Sequence, residues 1–444
     1  MVPPSLHGTL DGRRLLFFAL TVVSASLFLA AAVLETGAVA SFKTISQGRW
    51  LLRFDRNNPL LEDRLGQIYQ DSGKPEVIPH LLGSTELSPL NRRYHADLAS
   101  ACESLGETAC ADKEWELLAE LCPMVPVYQS HAAQSYLRTN RMDEALAHFE
   151  RLLELDPSYG PESWFALRAV LDPDRIFQRT ISSRADPALK LSYIYFLSNQ
   201  GDDDSAFRIW QLVVAENVAG NRAFSFSSAK PYLERLLDLG RIGEAESVWR
   251  NLQRLKIVAT PVASDADNLV FNGDFEQIPL NAGFDWRWSG QNADLAIDFA
   301  APAPYHGAHC LRIDFTVDRN EEYEPVFQLV RVLPNRSYRL EAYVRSEEIT
   351  SDTGPNLRVS DTQQASFPDM VSETTVGTTP WHPVHLSFST GPDTQFVRLS
   401  VRRPRGRVFP TEISGTFWLD AVSLKNTGPA PQPPLPENAA KGRS

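Results

Sequence analysis

The side chains best suited to chemistry are nine histidines and four cysteines, and their spacing limits what they can do. His306-Gly307-Ala308-His309 and His382-Pro383-Val384-His385 each set two imidazoles three residues apart. On a β-strand, residues three apart point to opposite faces, so neither pair can chelate one ion if those segments are strands. Glu321-Glu322-Tyr323-Glu324 gathers carboxylates, but glycoside hydrolysis needs two acids facing each other across a cleft. Adjacent acids just before Pro325 read as an exposed loop. No Gly-x-Ser-x-Gly elbow, His-Glu-x-x-His helix, phosphate loop or dinucleotide fingerprint is present. The sequence therefore predicts a protein without catalysis.

Cys102, Cys110 and Cys122 fall in one stretch. Cys110 and Cys122 lie 12 apart on one expected helix, about 18 Å by helical rise, so they cannot pair. An antiparallel hairpin turning at Gly106 would bring Cys102 and Cys110 together, which leaves that pair as the one bridge open inside the stretch. Its closed loop is short and disulfide geometry strict. The reading therefore leans towards Cys102 as a small buried thiol.

The elements that position these residues are bounded by composition. The chain has 444 residues, 43% hydrophobic and 22% charged, enough for more than one globular domain. Its net charge of −12 excludes the broad cationic surface a general nucleic-acid binder needs. With no Cys-x-x-Cys spacing, a zinc framework is excluded as well.

Residues 15–34 form an uncharged run, preceded by Arg13 and Arg14 and followed by Glu35. A helix of that length is about 30 Å long, the thickness of a bilayer core. The expectation is a transmembrane helix or signal anchor over 15–34. Residues 1–14 would be cytoplasmic and the rest extracytoplasmic by the positive-inside rule. Ala38-Val39-Ala40 also has the form of a signal-peptidase site, and cleavage there is the competing reading.

A repeat follows. Leu98, Ala99, Cys102, Gly106, Ala111, Trp115 and Pro123 recur 34 residues later as Ala132, Ala133, Tyr136, Asn140, Ala145, Phe149 and Pro157. An earlier copy starts near Pro59, and later ones carry Ala206, Trp210 and Ala245, Trp249. An alanine and an aromatic four apart share one helix face, the alanine admitting a close neighbour and the ring filling the space beyond it. The pattern resembles the tetratricopeptide repeat (TPR). It implies an α-solenoid of about five hairpins over 42–258, with an insertion around 160–186. The resemblance implies a groove for a protein partner; a plain spacer is the alternative.

Residues 259–267 read as a linker, after which alternating runs separated by turn residues begin. Phe327–Val332 and Tyr338–Val344 flank a Pro-Asn turn, and Phe396–Val401 and Thr416–Leu424 follow. Residues 268–425 are expected to form a β-sandwich. Asn268–Glu276 with Gly283 and Trp286, the 333–340 hairpin and the closing Phe417–Leu424 resemble galactose-binding-like jelly rolls. Within that group they are most similar to glucan- and xylan-binding carbohydrate-binding modules. The resemblance implies a structural calcium held by Asp274, Glu276 and Asp420, although Ala421 stands where a second Asp is common. The alternative is that these acids only cap turns.

The resemblance also implies sugar stacking on exposed rings, for which Trp288, Tyr305, Tyr323 and Trp381 are the candidates. Trp286 and Trp418 fit core positions better. The Pro-rich residues 426–444 read as an unpacked tail. The architecture as a whole points to a membrane-anchored, non-catalytic cell-envelope protein. A protein partner on the TPR-like groove and a polysaccharide on the sandwich would be its ligands. A sandwich that only docks protein, or a divergent glycan-active enzyme, are the alternatives.

Overall fold

The structure, a computed structural model, describes residues 12–74, 76–181, 186–220, 224–259, 267–289, 294–361, 369–409 and 411–431. It divides into two compact units, Met1–Ala185 and Asp186–Ser444, so the division falls inside the helical array and not at the expected 259–267. Most of that expected linker, the first eleven residues and the tail beyond 431 lie outside the described residues.

The first unit opens with α1 (Gly12–Ser41). Its side chains are described from Phe17 to Leu29, and all of these are exposed. Among the described residues no helix is long and apolar enough to cross a membrane. The span expected over 15–34 lies partly outside the side chains described.

After α2 (Ile45–Leu51) come three hairpins: α3 (Pro59–Asp71) with α4 (Val77–Leu87), α5 (Arg92–Ser104) with α6 (Thr108–Leu121), and α7 (Pro126–Arg138) with α8 (Met142–Leu155). Local chemistry sets their ends. The Asn58 side chain accepts from the Leu60 and Leu61 N–H groups, with Pro59 pre-set at the first helical position. The turns of the first two hairpins close at Gly73 and Gly106 with φ of 63° and 77°; Asn140 takes φ 58° in the third. Ala111 and Ala145 are fully buried beside Trp115 and Phe149, as the spacing predicts. Phe42, Leu61, Leu65, Leu81, Leu98 and Leu118 complete the core of the first two hairpins. Each such side chain contributes about 1.5–3 kcal/mol on burial.

Cys102 and Cys110 are joined in a disulfide with Cα atoms 5.8 Å apart. This corrects the expectation of free thiols, since the Gly106 turn brings the two helix ends within bridging range. The irregular insertion holds α9 (Gly160–Arg168) and α10 (Pro173–Thr180).

The second unit begins with two more hairpins, α11 (Pro187–Asn199) with α12 (Asp203–Gly220) and α13 (Phe226–Asp238) with α14 (Ile242–Arg254). Among the described residues ten strands follow: β1 (Arg287–Trp288), β2 (Leu295–Ala301), β3 (Cys310–Val317), β4 (Tyr323–Arg331), β5 (Arg336–Ile349), β6 (Asn356–Ser360), β7 (Met370–Val371), β8 (Gly377–Ser389), β9 (Phe396–Arg403) and β10 (Ile413–Pro429). They form two antiparallel five-stranded sheets, ordered β1-β4-β9-β6-β7 and β2-β3-β10-β5-β8. The inner faces enclose Trp286, Phe315, Val330, Leu340, Val401 and Phe417. β10 stays paired with β5 as far as Pro429, so the start of the expected 426–444 tail is strand.

Candidate functional site: an aromatic platform on the outer face of the second sheet

Strand alternation builds this face. Along β5, Tyr338, Leu340, Ala342 and Val344 point into the core, which turns Tyr343 and Arg345 outward. Trp418 on β10 lies opposite Arg345 of β5 and Arg312 of β3 in the register. Their guanidinium carbons sit 4.5 Å and 5.8 Å from its ring centroid, a cation–π sandwich that covers the indole. Trp381 on β8 packs beside Trp418, Ala301 and Cys310. Burial pushes the Cys310 thiol up to about 12, so it stays protonated and acts as packing.

Tyr305 completes the platform from the β2–β3 loop. Its ring lies parallel to that of Tyr343 with centroids 3.5 Å apart, and 6.2 Å from Trp381 at a tilt of 59°. Tyr305 is 45% exposed while Tyr343 and Trp381 are half-buried, so the rings are held from behind and open in front. The hydrogen bond between the two tyrosines raises the Tyr305 phenol above its ordinary value. Two open rings set at an angle can accept the apolar C–H face of a pyranose, and Arg345 and Arg312 at the margin can donate to its hydroxyls.

Two carboxylates fix the loop that carries Tyr305. Asp420 Oδ2 accepts from the Tyr305 and His306 amides at 2.8 and 2.9 Å, and its Oδ1 accepts from Ala421 N. Glu276 Oε1 accepts from the Ala308 and His309 amides at 2.6 and 3.1 Å. Gly307 between them takes φ 76°, a left-handed backbone that side chains with a Cβ rarely adopt. Burial raises the Asp420 carboxyl, and the three amides oppose that shift.

These are two of the three acids expected to bind calcium. Amide donors repel a cation, and a calcium shell wants 6–8 oxygens. Asp274 is half-buried, and among the described residues no group of three His, Cys, Asp or Glu side chains could hold a metal ion. The carboxylates of Asp420 and Glu276 are taken up by backbone amides in this arrangement.

The structure brings together two of the four expected sugar-binding rings. Tyr305 and Trp381 share the platform; Trp288 and Tyr323 do not. Trp288 packs on Phe299 at 4.9 Å and Tyr323 on Phe315 at 6.4 Å, both against the sandwich core. The Tyr323 hydroxyl is buried without a partner, and burial pushes it up to about 12. The sequence singles out neither Tyr343 nor the two arginines, and Trp418, which it reads as core, is buried on the outer face beside the two guanidinium groups. Alternation along 338–345 was the available signal, but the strand register that joins them was not.

The loop acids are also accounted for. Glu322 pairs with Arg402, and Glu324 with both Arg358 and Arg398. Arg403 is fully buried at the end of β9 and donates to Asn320 Oδ1, Glu321 O and Thr411 O.

No protein family matches the chain, and no curated protein does. Among solved structures, MamA is similar over 40% of this chain and 90% of its own, with 16% identity and a TM-score of 0.25. A carbohydrate-binding module of family CBM4 is similar over 35% of this chain and 99% of its own, at 12% identity and TM-score 0.27. TmCBM61, solved in complex with β-1,4-galactotriose, is similar over 36% of this chain and 98% of its own, at 17% identity and TM-score 0.24. Scores of that size carry no argument about what this chain does.

Proposed function

We propose that this chain is a non-catalytic adaptor of a cell envelope whose second unit binds a polysaccharide on the Tyr305–Trp381 platform. The observation that carries the reading is the pair itself. Two accessible rings are braced by Tyr343 and by the Arg345–Trp418 stack, on a loop pinned by Asp420 and Glu276. The helical hairpins would take a protein partner, coupling it to the glycan in polysaccharide assembly or export. Helix α1 would anchor the chain in a membrane with the bulk extracytoplasmic. Its exposed Phe17, Phe18, Leu27, Phe28 and Leu29 support that, and the Cys102–Cys110 bridge suits an oxidising compartment.

Glycan-array binding by the full chain tests the proposal. Tyr305→Ala should reduce retention of the bound glycan more than tenfold, about 1.4 kcal/mol or more of binding free energy, with the unfolding midpoint nearly unchanged. Retention that survives Tyr305→Ala removes the platform as the site. An array with no bound glycan favours the face as a protein-docking surface.

A further inference from the structure

The first unit carries an asymmetry between its two edges. In a stack of antiparallel hairpins, the turns inside hairpins lie along one edge and the loops between hairpins along the other. The inner turns expose polar residues: Ser72 to Lys74, Ser104 to Glu107 and Thr139 to Arg141, with Leu105 the exception. The loops between hairpins expose large apolar ones. Phe54 is 74%, Leu90 81% and Met124 64% exposed, and Leu87 and Leu121 stand beside them. Leu87 and Leu121 are 34 residues apart, as are Leu90 and Met124, so the repeat itself sets an apolar stripe at this edge. Exposed Arg53, Arg56, Arg92 and Arg93 are interleaved with it.

Isolated exposed leucines are ordinary, but side chains that recur at the repeat period along one edge are a surface. Apolar groups mixed with arginines suit the boundary between headgroups and acyl chains, where rings and aliphatic side chains enter and guanidiniums meet phosphates. The same unit begins with the apolar α1, which leads through residues 42–44 into α2 and from there to the first hairpin. Phe42, one residue after its end, is already buried against Leu61 and Leu65, and Arg64 Nε bonds to its carbonyl at 3.1 Å. Trp50, 56% exposed and 4.8 Å from Phe54, continues the stripe towards that junction.

We propose that the edge bearing Phe54, Leu90 and Met124 rests on the surface of an anionic lipid bilayer, holding the array against the membrane in which α1 is embedded. This rests on the anchoring reading given above.

The test uses the full chain with a fluorophore at Leu90→Cys or at Lys74→Cys on the opposite edge, each combined with Cys122→Ser. The protein is reconstituted into phosphatidylcholine–phosphatidylglycerol vesicles with a headgroup nitroxide as quencher. Quenching should be several-fold stronger at position 90 than at 74. Arg53→Glu, Arg56→Glu and Arg92→Glu together should shrink that difference while the chain still floats with the vesicles. Equal quenching at both positions in floated protein overturns the edge proposal alone and leaves the stripe to a protein partner. A chain that does not float overturns the anchoring reading and this proposal with it.

Discussion

Arg287 grips Glu234 through two hydrogen bonds of 2.8 and 3.0 Å, joining the first strand of the sandwich to helix α13. The same carboxylate accepts from Gly283 N at 2.7 Å, and Trp249 of α14 meets Phe271 and Phe284 edge-on. Gly283 takes φ 59°, and a Cβ there would lie 2.5 Å from the Trp249 ring. The last hairpin and the sandwich are therefore one packed body, which is why the chain divides at residue 185 and not after α14.

Glu234→Ala leaves the Arg287 guanidinium without its carboxylate in a mostly buried place. The side chains keep some solvent, so the cost should fall below the roughly 3–5 kcal/mol of a fully buried broken pair, at about 2 kcal/mol. Chemical denaturation of the full chain measures it. A change under about 0.5 kcal/mol, the range of ordinary surface substitutions, would show that the joint does not depend on this pair.

Burial of Asp63 makes the first hairpin sensitive to pH. Its side chain is fully buried, with Oδ1 lacking a hydrogen-bond partner. Gln67 bridges Asp63 and Asp97 at 3.0 Å each, and Arg93 stands 3.9 Å away, largely in solvent. Desolvation first, and then the Asp97 charge, raise the Asp63 carboxyl to about 7 from 3.8. A carboxyl raised on folding is favoured as the neutral acid, so the fold loses stability as pH climbs from about 4 to about 7 and is flat beyond. Asp63→Asn removes that titration. The variant should gain stability relative to the parent across this window, read from unfolding midpoints at pH 5 and pH 8. A difference that is constant with pH defeats the prediction.

Much of the fold was legible in the residues, and the reasons are local. Ala111 with Trp115 and Ala145 with Phe149 report one helix face each, because four residues is about one turn. The closing Phe417–Leu424 stretch lies in β10, while Asn-Gly-Asp-Phe sends Phe275 into the sandwich core from a turn segment and forms no strand. The site was only half legible. Tyr305 and Trp381 come from a loop and from β8, and their meeting depends on the β5–β8 register, set by pairs such as Tyr343 with Pro383. Nothing in the neighbours of Trp288 or Tyr323 announces that Phe299 and Phe315 will pack against them. The disulfide was legible as a geometric option. What decided it was the turn at Gly106, with φ 77°.

That bridge gives a redox prediction. The loop closed between Cys102 and Cys110 spans eight positions, and by chain entropy it should stabilise the second hairpin by about 2–3 kcal/mol. Oxidised protein should yield a linked peptide on non-reducing mapping, and reductant should lower the unfolding midpoint. Free thiols at both positions in exported protein eliminate the bridge.

The last prediction separates an amide clamp from a calcium site. Asp420 and Glu276 together accept five backbone amides, four of them from the loop that carries Tyr305. Both acids are needed because each holds a different half of the loop. Asp420 takes the Tyr305–His306 half, where the ring is mounted, and Glu276 takes Ala308–His309. Asp420→Ala removes the acceptor of three part-buried amides, which solvent can partly satisfy, so it should lower stability by less than the roughly 1–3 kcal/mol per group of a fully buried donor. It should weaken glycan binding too, because Tyr305 is no longer held on Tyr343. Glu276→Ala acts at the more exposed end, and its cost in stability should be smaller. A chelator should shift the unfolding midpoint of the parent protein by nothing measurable, since amides and not a metal satisfy these oxygens. A drop in midpoint with chelator, restored by added calcium, would mean that oxygens outside the described set complete a metal shell, and the clamp would then be secondary.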